Sequence, residues 1–362
     1  MTDEVFNANR REFLGASALL LSSVAVAASA GGPAAASTSA GVRQPAVIGY
    51  PNEKGVTIER VTYKARNMGT DIVANMFKPK GFDPANKYST IVVTHPFGGV
   101  KEQTAGLYAQ HLAEQGFVTL AYDASYQGES GGLPRLMEVP AQRLDDISCA
   151  IDYLQTQSFV DPGRIGSLGI CAGGGYAMCN AQTESRVKAV ATVSMFNLGE
   201  ARREAMGNLT YEQRVERLRQ AAQARSREAT GGAPTLVPVV PESPAEFTDR
   251  TPDLYRQGYE YYVTERAKHP NSPNRYMLSS LPLQMAFFPF DQVETISPRP
   301  ILMVVGEKAD TKFWSDEVLA KAQAPKEMFV VPGATHMDMY DKPQFVTPAV
   351  EKLNGFFAQH LA

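Results

Sequence analysis

"GICAGGG", residues 169–175, decides how this chain is read. It follows the apolar run "RIGSLGI" (164–170) and leads into a stretch, Ala172 to about Thr183, that reads as a helix. A strand that turns abruptly into a helix needs small residues two before and two after the apex, because a Cβ there would collide with neighbouring backbone. Gly169 and Gly173 fill those places and Cys171 is the apex. The spacing is that of a nucleophile elbow, G-x-S-x-G, with a thiol for the hydroxyl. A helix amino terminus beside a thiol favours the thiolate. No G-K-[ST] follows and no G-x-G-x-x-G fits, which counts against a phosphate loop. The alternative is a small core cysteine packed among glycines.

A thiol nucleophile needs a base, and five histidines allow elimination. His111 falls on the outer face of an amphipathic helix, His269 in an irregular middle segment, and His360 near the carboxyl terminus. His95 ends a central strand. His336, in "GATHMDMYD" after the last strand, fits the order nucleophile, acid, histidine. The acid is expected just past "ILMVVG": Asp310 first, Glu307 as competitor. Asp338 and Asp341 follow the histidine too closely. A carboxylate there would orient the imidazole and stabilise its protonated form. Two backbone N–H groups must hold the oxyanion. Ala172 supplies one. In "HPFGG" (95–99) Pro96 has no N–H, so Phe97 is the second donor, ahead of Gly98.

Outward from the elbow the pattern is regular. "VTIERVTYKA" and "DIVANMFKP" alternate as an antiparallel hairpin about "RNMGT". "STIVVTH", "FVTLAYD", "RIGSLGI", "VKAVATVSMF", "ILMVVG" and "KEMFVV" are apolar runs suited to strands covered on both faces. Helical segments lie between them, among them "TAGLYAQHLAEQG" and "AQRLDDISCAIDYLQTQ". The fold class is α/β, with a mostly parallel central sheet and helices on both faces. The rhythm breaks over about 198–290, roughly 90 residues, too many for a plain loop and read as an inserted helical lid. Its Tyr255, Tyr259 and Tyr262 share a helical face, and Phe287, Phe288 and Phe290 follow. Part of this surface, with Tyr259, Phe288 and His95 as candidates, is expected to line an apolar acyl pocket.

The chain has 362 residues and a formal net charge of −3, which points to neither nucleic acid nor an anionic membrane as partner. Three cysteines are too few for a disulfide framework. Cys149 and Cys179 fall on helices and read as core thiols. No metal-ligand motif is present, and neither a metal nor a cofactor is expected. At the amino terminus, Arg10 and Arg11 precede a moderately apolar run ending in Ala28-Ser29-Ala30. This reads as a twin-arginine signal peptide over residues 1–30, cleaved rather than anchoring. A flexible leader (31–55) would follow, then one domain (56–362) in the periplasm or secreted.

"THPFGGVKEQ", "YDASYQGESGG", "GICAGGGY", "GEKAD" and "PGATHMDMYD" together resemble the dienelactone hydrolase-like group of α/β-hydrolases, nearest the branch with fungal polyketide transferases and uncharacterised bacterial hydrolases. The resemblance spans about residues 56–362 and is weakest in the lid. It implies a Cys-Asp-His triad at Cys171, Asp310 and His336, acting through an acyl-enzyme on a small-molecule ester, lactone or thioester. One departure stands out: where dienelactone hydrolases carry a glutamate after the first central strand, this chain has His95. Passage of the acyl group to an alcohol or amine, as in a polyketide transferase, is the first alternative. A non-catalytic binding module on the same fold is the second.

Overall fold

The computed structural model describes residues 46–204 and 209–362. The stretches read above as a signal peptide (1–30) and as most of a leader (31–45) lie outside them. Eight strands form one sheet in the order β1-β2-β4-β3-β5-β6-β9-β10. The strands are β1 (Thr57–Lys64), β2 (Asp71–Lys78), β3 (Tyr88–Thr94), β4 (Val118–Tyr122), β5 (Val160–Ile170), β6 (Ala189–Val193), β9 (Ile301–Gly306) and β10 (Lys326–Val331). β1 pairs antiparallel with β2, from Thr57 opposite Lys78 to Lys64 opposite Asp71. β2 runs antiparallel to β4, and every pair beyond is parallel.

The apolar runs sit where their composition requires. β4, β6 and β9 are buried along their whole length, because helices cover both faces of a parallel sheet. Those helices are α1 (Thr104–Ala113), α2 (Pro140–Gln155), α3 (Ala172–Thr183), α8 (Lys312–Lys321) and α9 (Pro343–His360). β1 and β10 are the edges, and both expose part of their length.

Between β6 and β9 lies an insertion. It holds α4 (Leu198–Glu204), α5 (Tyr211–Ala229), the small pair β7 (Leu236–Pro238) and β8 (Arg275–Met277), α6 (Asp253–Val263) and α7 (Leu281–Met285). Thr210 starts α5 with a capping box: its hydroxyl accepts from Gln213 N at 3.2 Å and its amide donates to Gln213 Oε1 at 3.0 Å.

The strand order sets the place of the site. From β3 the chain passes through α1 to β4 on one side, then through α2 to β5 on the other. The carboxyl ends of β3 and β5 therefore flank a topological switch point, where open α/β sheets leave a crevice. The "HPFGG" turn leaves β3 there and Cys171 leaves β5. This is the α/β-hydrolase fold.

Candidate active site

Cys171 has φ 56° and ψ −125°, a backbone region that costs a non-glycine residue about 1–3 kcal/mol and persists only where the surroundings over-determine it. The surroundings are visible. A Cβ on Gly169 would lie 2.1 Å from Gly173 O, and one on Gly173 would lie 2.3 Å from Thr94 O. The Cys171 amide donates to Val193 O at 3.0 Å, and its carbonyl accepts from Gly174 N and Phe196 N at 2.8 and 2.9 Å. The elbow is thus fastened to β6 and to the helix that follows it.

The sulfur is nearly enclosed, with Cys171 9% exposed. It lies within reach of the Tyr340 hydroxyl and of the Ala172 and Phe97 amides. The two amides expected for an oxyanion therefore converge on one point, which the resting sulfur occupies. Burial pushes the thiol up to about 11 against the pull of these three donors, with the field of Asp310 adding to the rise. At rest the group is a neutral thiol.

His336 follows β10 and starts the turn Met337–Tyr340. Its carbonyl accepts from Ser194 Oγ at 3.1 Å and its ring packs edge-on to Phe196. Nδ1 lies 2.6 Å from Thr311 Oγ1, and Nε2 lies 3.4 Å from Tyr340 OH. Burial alone lowers the imidazole to about 3, so it is neutral at ordinary pH.

Asp310 stands beside these groups but does not hold the ring. Its Oδ2 accepts from Leu254 N at 3.0 Å, in the first turn of α6, where a carboxylate answers the unsatisfied amides of a helix start. Its Oδ1 is buried without a hydrogen-bond partner. Burial raises Asp310 to about 6. The imidazole partner expected at Asp310 is met instead by the next residue, Thr311. The other carboxylates are committed elsewhere. Glu307 is exposed and accepts from Gly333 N at 2.7 Å. Asp338 caps its own turn at Thr335 N, and Asp341 pairs with Arg266.

Three pocket expectations need correction. His95 is fully buried and faces away from solvent: Nδ1 meets Pro96 O at 2.7 Å, and Nε2 meets the Ala124 amide at 3.1 Å and Arg143 Nη1 at 2.9 Å. Arg143 also donates to His95 O at 2.8 Å, so the pair braces the turn that carries Phe97. Tyr259 packs edge-on against Phe247 at 5.7 Å. Phe288 is 53% exposed beneath the Arg203 guanidinium. On α6, Tyr259 is rotated about 40° from Tyr255 and about 60° from Tyr262. Tyr262, 7% exposed, lies near Cys171, and Tyr255 lies near Asp310. Phe97 and Tyr276 meet edge-on, with Arg202 stacked on both rings at 4.8 Å.

Sequence reasoning did not reach Tyr340, Thr311 or Arg143. Tyr340 had a readable signal, lying four residues after His336 on the same side of a helical turn. Among the described residues, one group of possible metal ligands forms, Glu102, Asp123 and Glu129. The Lys101 ammonium already bridges all three, at 2.6, 2.8 and 2.6 Å.

The chain's own relatives bear on this geometry. Residues 72–204 match the dienelactone hydrolase family. YcjY of Escherichia coli, an uncharacterized protein, is 40% identical over 82% of this chain and 97% of its own length. The chain belongs to the dienelactone hydrolase family. The crystal structure of the hypothetical protein PA2218 from Pseudomonas aeruginosa superposes on 86% of this chain and 96% of that one, with a TM-score of 0.79 at 36% identity. A fungal thiohydrolase from Eupenicillium brefeldianum and the polyketide transferase claH from Penicillium crustosum are 24% and 25% identical. They cover 71% and 78% of this chain and 82% and 91% of their own. This family member therefore has relatives of hydrolase type.

Proposed function

We propose that this member of the dienelactone hydrolase family cleaves carboxylic esters, lactones or thioesters through an acyl-enzyme on Cys171. The observation that carries the reading is the sulfur at a strained elbow, ringed by the Ala172 and Phe97 amides, with a neutral imidazole one hydroxyl away. Cys171 attacks the carbonyl carbon. The developing oxyanion takes over the two amides that the sulfur vacates. His336 accepts the thiol proton and returns it to the leaving group. Water, activated in the same way, releases the acid.

Thr311 holds the ring through Nδ1, and Asp310, with a bare buried Oδ1, supplies the negative charge near the site. The name of the fungal thiohydrolase favours a thioester among the three substrates. The reading extends to export by the twin-arginine route, carried by Arg10 and Arg11. Among the described residues, no helix is long and apolar enough to cross a membrane.

Transfer to an alcohol or amine is favoured by one feature: nucleophile and base are 9% and 1% exposed beneath the insertion, and a dry site protects an acyl-enzyme from water. Both activities are tested with a panel of chromogenic esters and thioesters of graded chain length, with and without added alcohol. Free acid in both conditions supports hydrolysis, and a new ester supports transfer. No turnover of any member would remove both.

A further inference from the structure

The two groups that the proposed function pairs share no hydrogen bond. Cys171 Sγ neighbours Ala172 N, Phe97 N and Tyr340 OH, and no hydrogen bond joins it to His336. His336 Nε2 instead faces the same Tyr340 hydroxyl at 3.4 Å, with Nδ1 taken by Thr311. One phenolic oxygen thus stands between nucleophile and base.

Its position is built from several elements. Tyr340 is 1% exposed. Its carbonyl accepts from Thr104 Oγ1 at 3.0 Å, and the preceding carbonyl, of Met339, accepts from Tyr108 OH at 2.7 Å, both from α1. Its ring meets Tyr261 of α6 edge-on at 5.1 Å. A phenol both donates and accepts. Burial, with the neighbouring Cys171, Tyr262 and Tyr261, keeps this one protonated far above neutral pH. It can pass a proton but not keep a charge.

We propose that Tyr340 is a catalytic residue, its hydroxyl relaying the proton of Cys171 Sγ to His336 Nε2. This rests on the acyl-enzyme reading above. The S–H bond breaks as a new O–H bond forms on Tyr340, while the old O–H bond breaks and N–H forms on Nε2. The sulfur keeps its electron pair and bonds to the carbonyl carbon, and the carbonyl π pair moves to oxygen, against the Ala172 and Phe97 amides. When the tetrahedral adduct collapses, the leaving group departs with its bonding pair and takes the proton back along the same path. The step uses the tautomer with Nδ1–H donated to Thr311 and the Nε2 lone pair aimed at Tyr340. The titratable groups facing the sulfur are Tyr340, Tyr262 and Asp310, and a shift in its titration must be read against all three.

Tyr340→Phe removes one hydroxyl and keeps the ring. In the full chain, the rate of iodoacetamide alkylation at Cys171, read by peptide mass spectrometry, is followed across pH beside ester turnover. His336→Gln and the double variant are measured in parallel. Each single variant is expected to lose at least about a hundred-fold in turnover, and the double no more than either, since both cut one path. The alkylation midpoint of Cys171 is expected to rise in Tyr340→Phe, which a purely structural tyrosine would not cause. Unchanged turnover and alkylation in Tyr340→Phe, with loss in His336→Gln, would overturn the relay by showing direct contact. If Tyr340→Phe does not fold, 3-fluorotyrosine in place of tyrosine keeps the packing and makes the phenol more acidic. An alkylation profile untouched by it would equally overturn the relay. A fully active Cys171→Ala would instead remove the acyl-enzyme reading itself.

Discussion

At the scale of single residues, burial governs the site more than charge pairing does. His336 is held near 3 in the fold against an ordinary value of 6.5, so the folded chain binds fewer protons than the unfolded one between about pH 3 and 6.5. By linkage, stability is lost as pH falls through that window. Asp310, raised from 3.8 to about 6, acts in the opposite sense: the folded chain binds more protons between about pH 4 and 6, and stability falls as pH rises across it. His336→Gln is expected to flatten the acid loss of the urea midpoint, and Asp310→Asn to steepen it. Identical pH profiles for parent and His336→Gln would contradict the burial argument. Thr311→Val removes the group that fixes the ring. We expect at least a ten-fold drop in turnover with little change in melting temperature, measured side by side.

At the scale of elements, the glycines of the elbow and the offset of α6 do most of the positioning. In Gly173→Ala the new Cβ would press on both the Thr94 and His95 carbonyls, 2.3 and 2.7 Å away. Backbone cannot yield as a flexible side chain does, so a loss at the upper end of about 1–3 kcal/mol is expected, together with lost turnover, because that turn carries Phe97. A melting temperature equal to the parent's would mean that the turn is slack. On α6 the tyrosines divide. Tyr255→Ala is expected to change acyl-chain preference, with about 0.8 kcal/mol lost per methylene no longer buried. Tyr259→Ala, on the Phe247 side, is expected to lower the melting temperature without changing preference. The reverse division, read from rates on short and long esters, would put the pocket on the other face. Periodicity grouped these residues onto one side of a helix but could not say which offset the core would take, because that is set by the packing of α6 on Tyr340 and Thr104.

At the scale of the whole molecule, the sheet was legible because strands buried on both faces read as continuous apolar runs, and the elbow because only glycine fits where backbone nearly touches backbone. Motif and order pointed to Cys171, His336, Ala172 and Phe97, which the fold brings near one another. Thr311 and the Arg143 brace were not legible, since each acts through a contact between elements far apart in the chain, and a polar residue in a loop carries no signal of what will face it; Tyr340, four residues past His336, was within reach of helical spacing. The reading of the amino terminus concerns residues beyond those described. Replacing Arg10 and Arg11 by lysine is expected to keep the chain in the cytoplasm, and unchanged export in cell fractionation would contradict the twin-arginine assignment.

The covalent step is the most exposed point of this account. A slowly deacylated ester is mixed with the full chain, the reaction is quenched within a turnover, and the intact mass and the Cys171 peptide are measured. One acyl group per chain, on Cys171 and absent from Cys171→Ala, is the expected result. Turnover with no adduct on Cys171, or a Cys171→Ala variant as active as the parent, would contradict it.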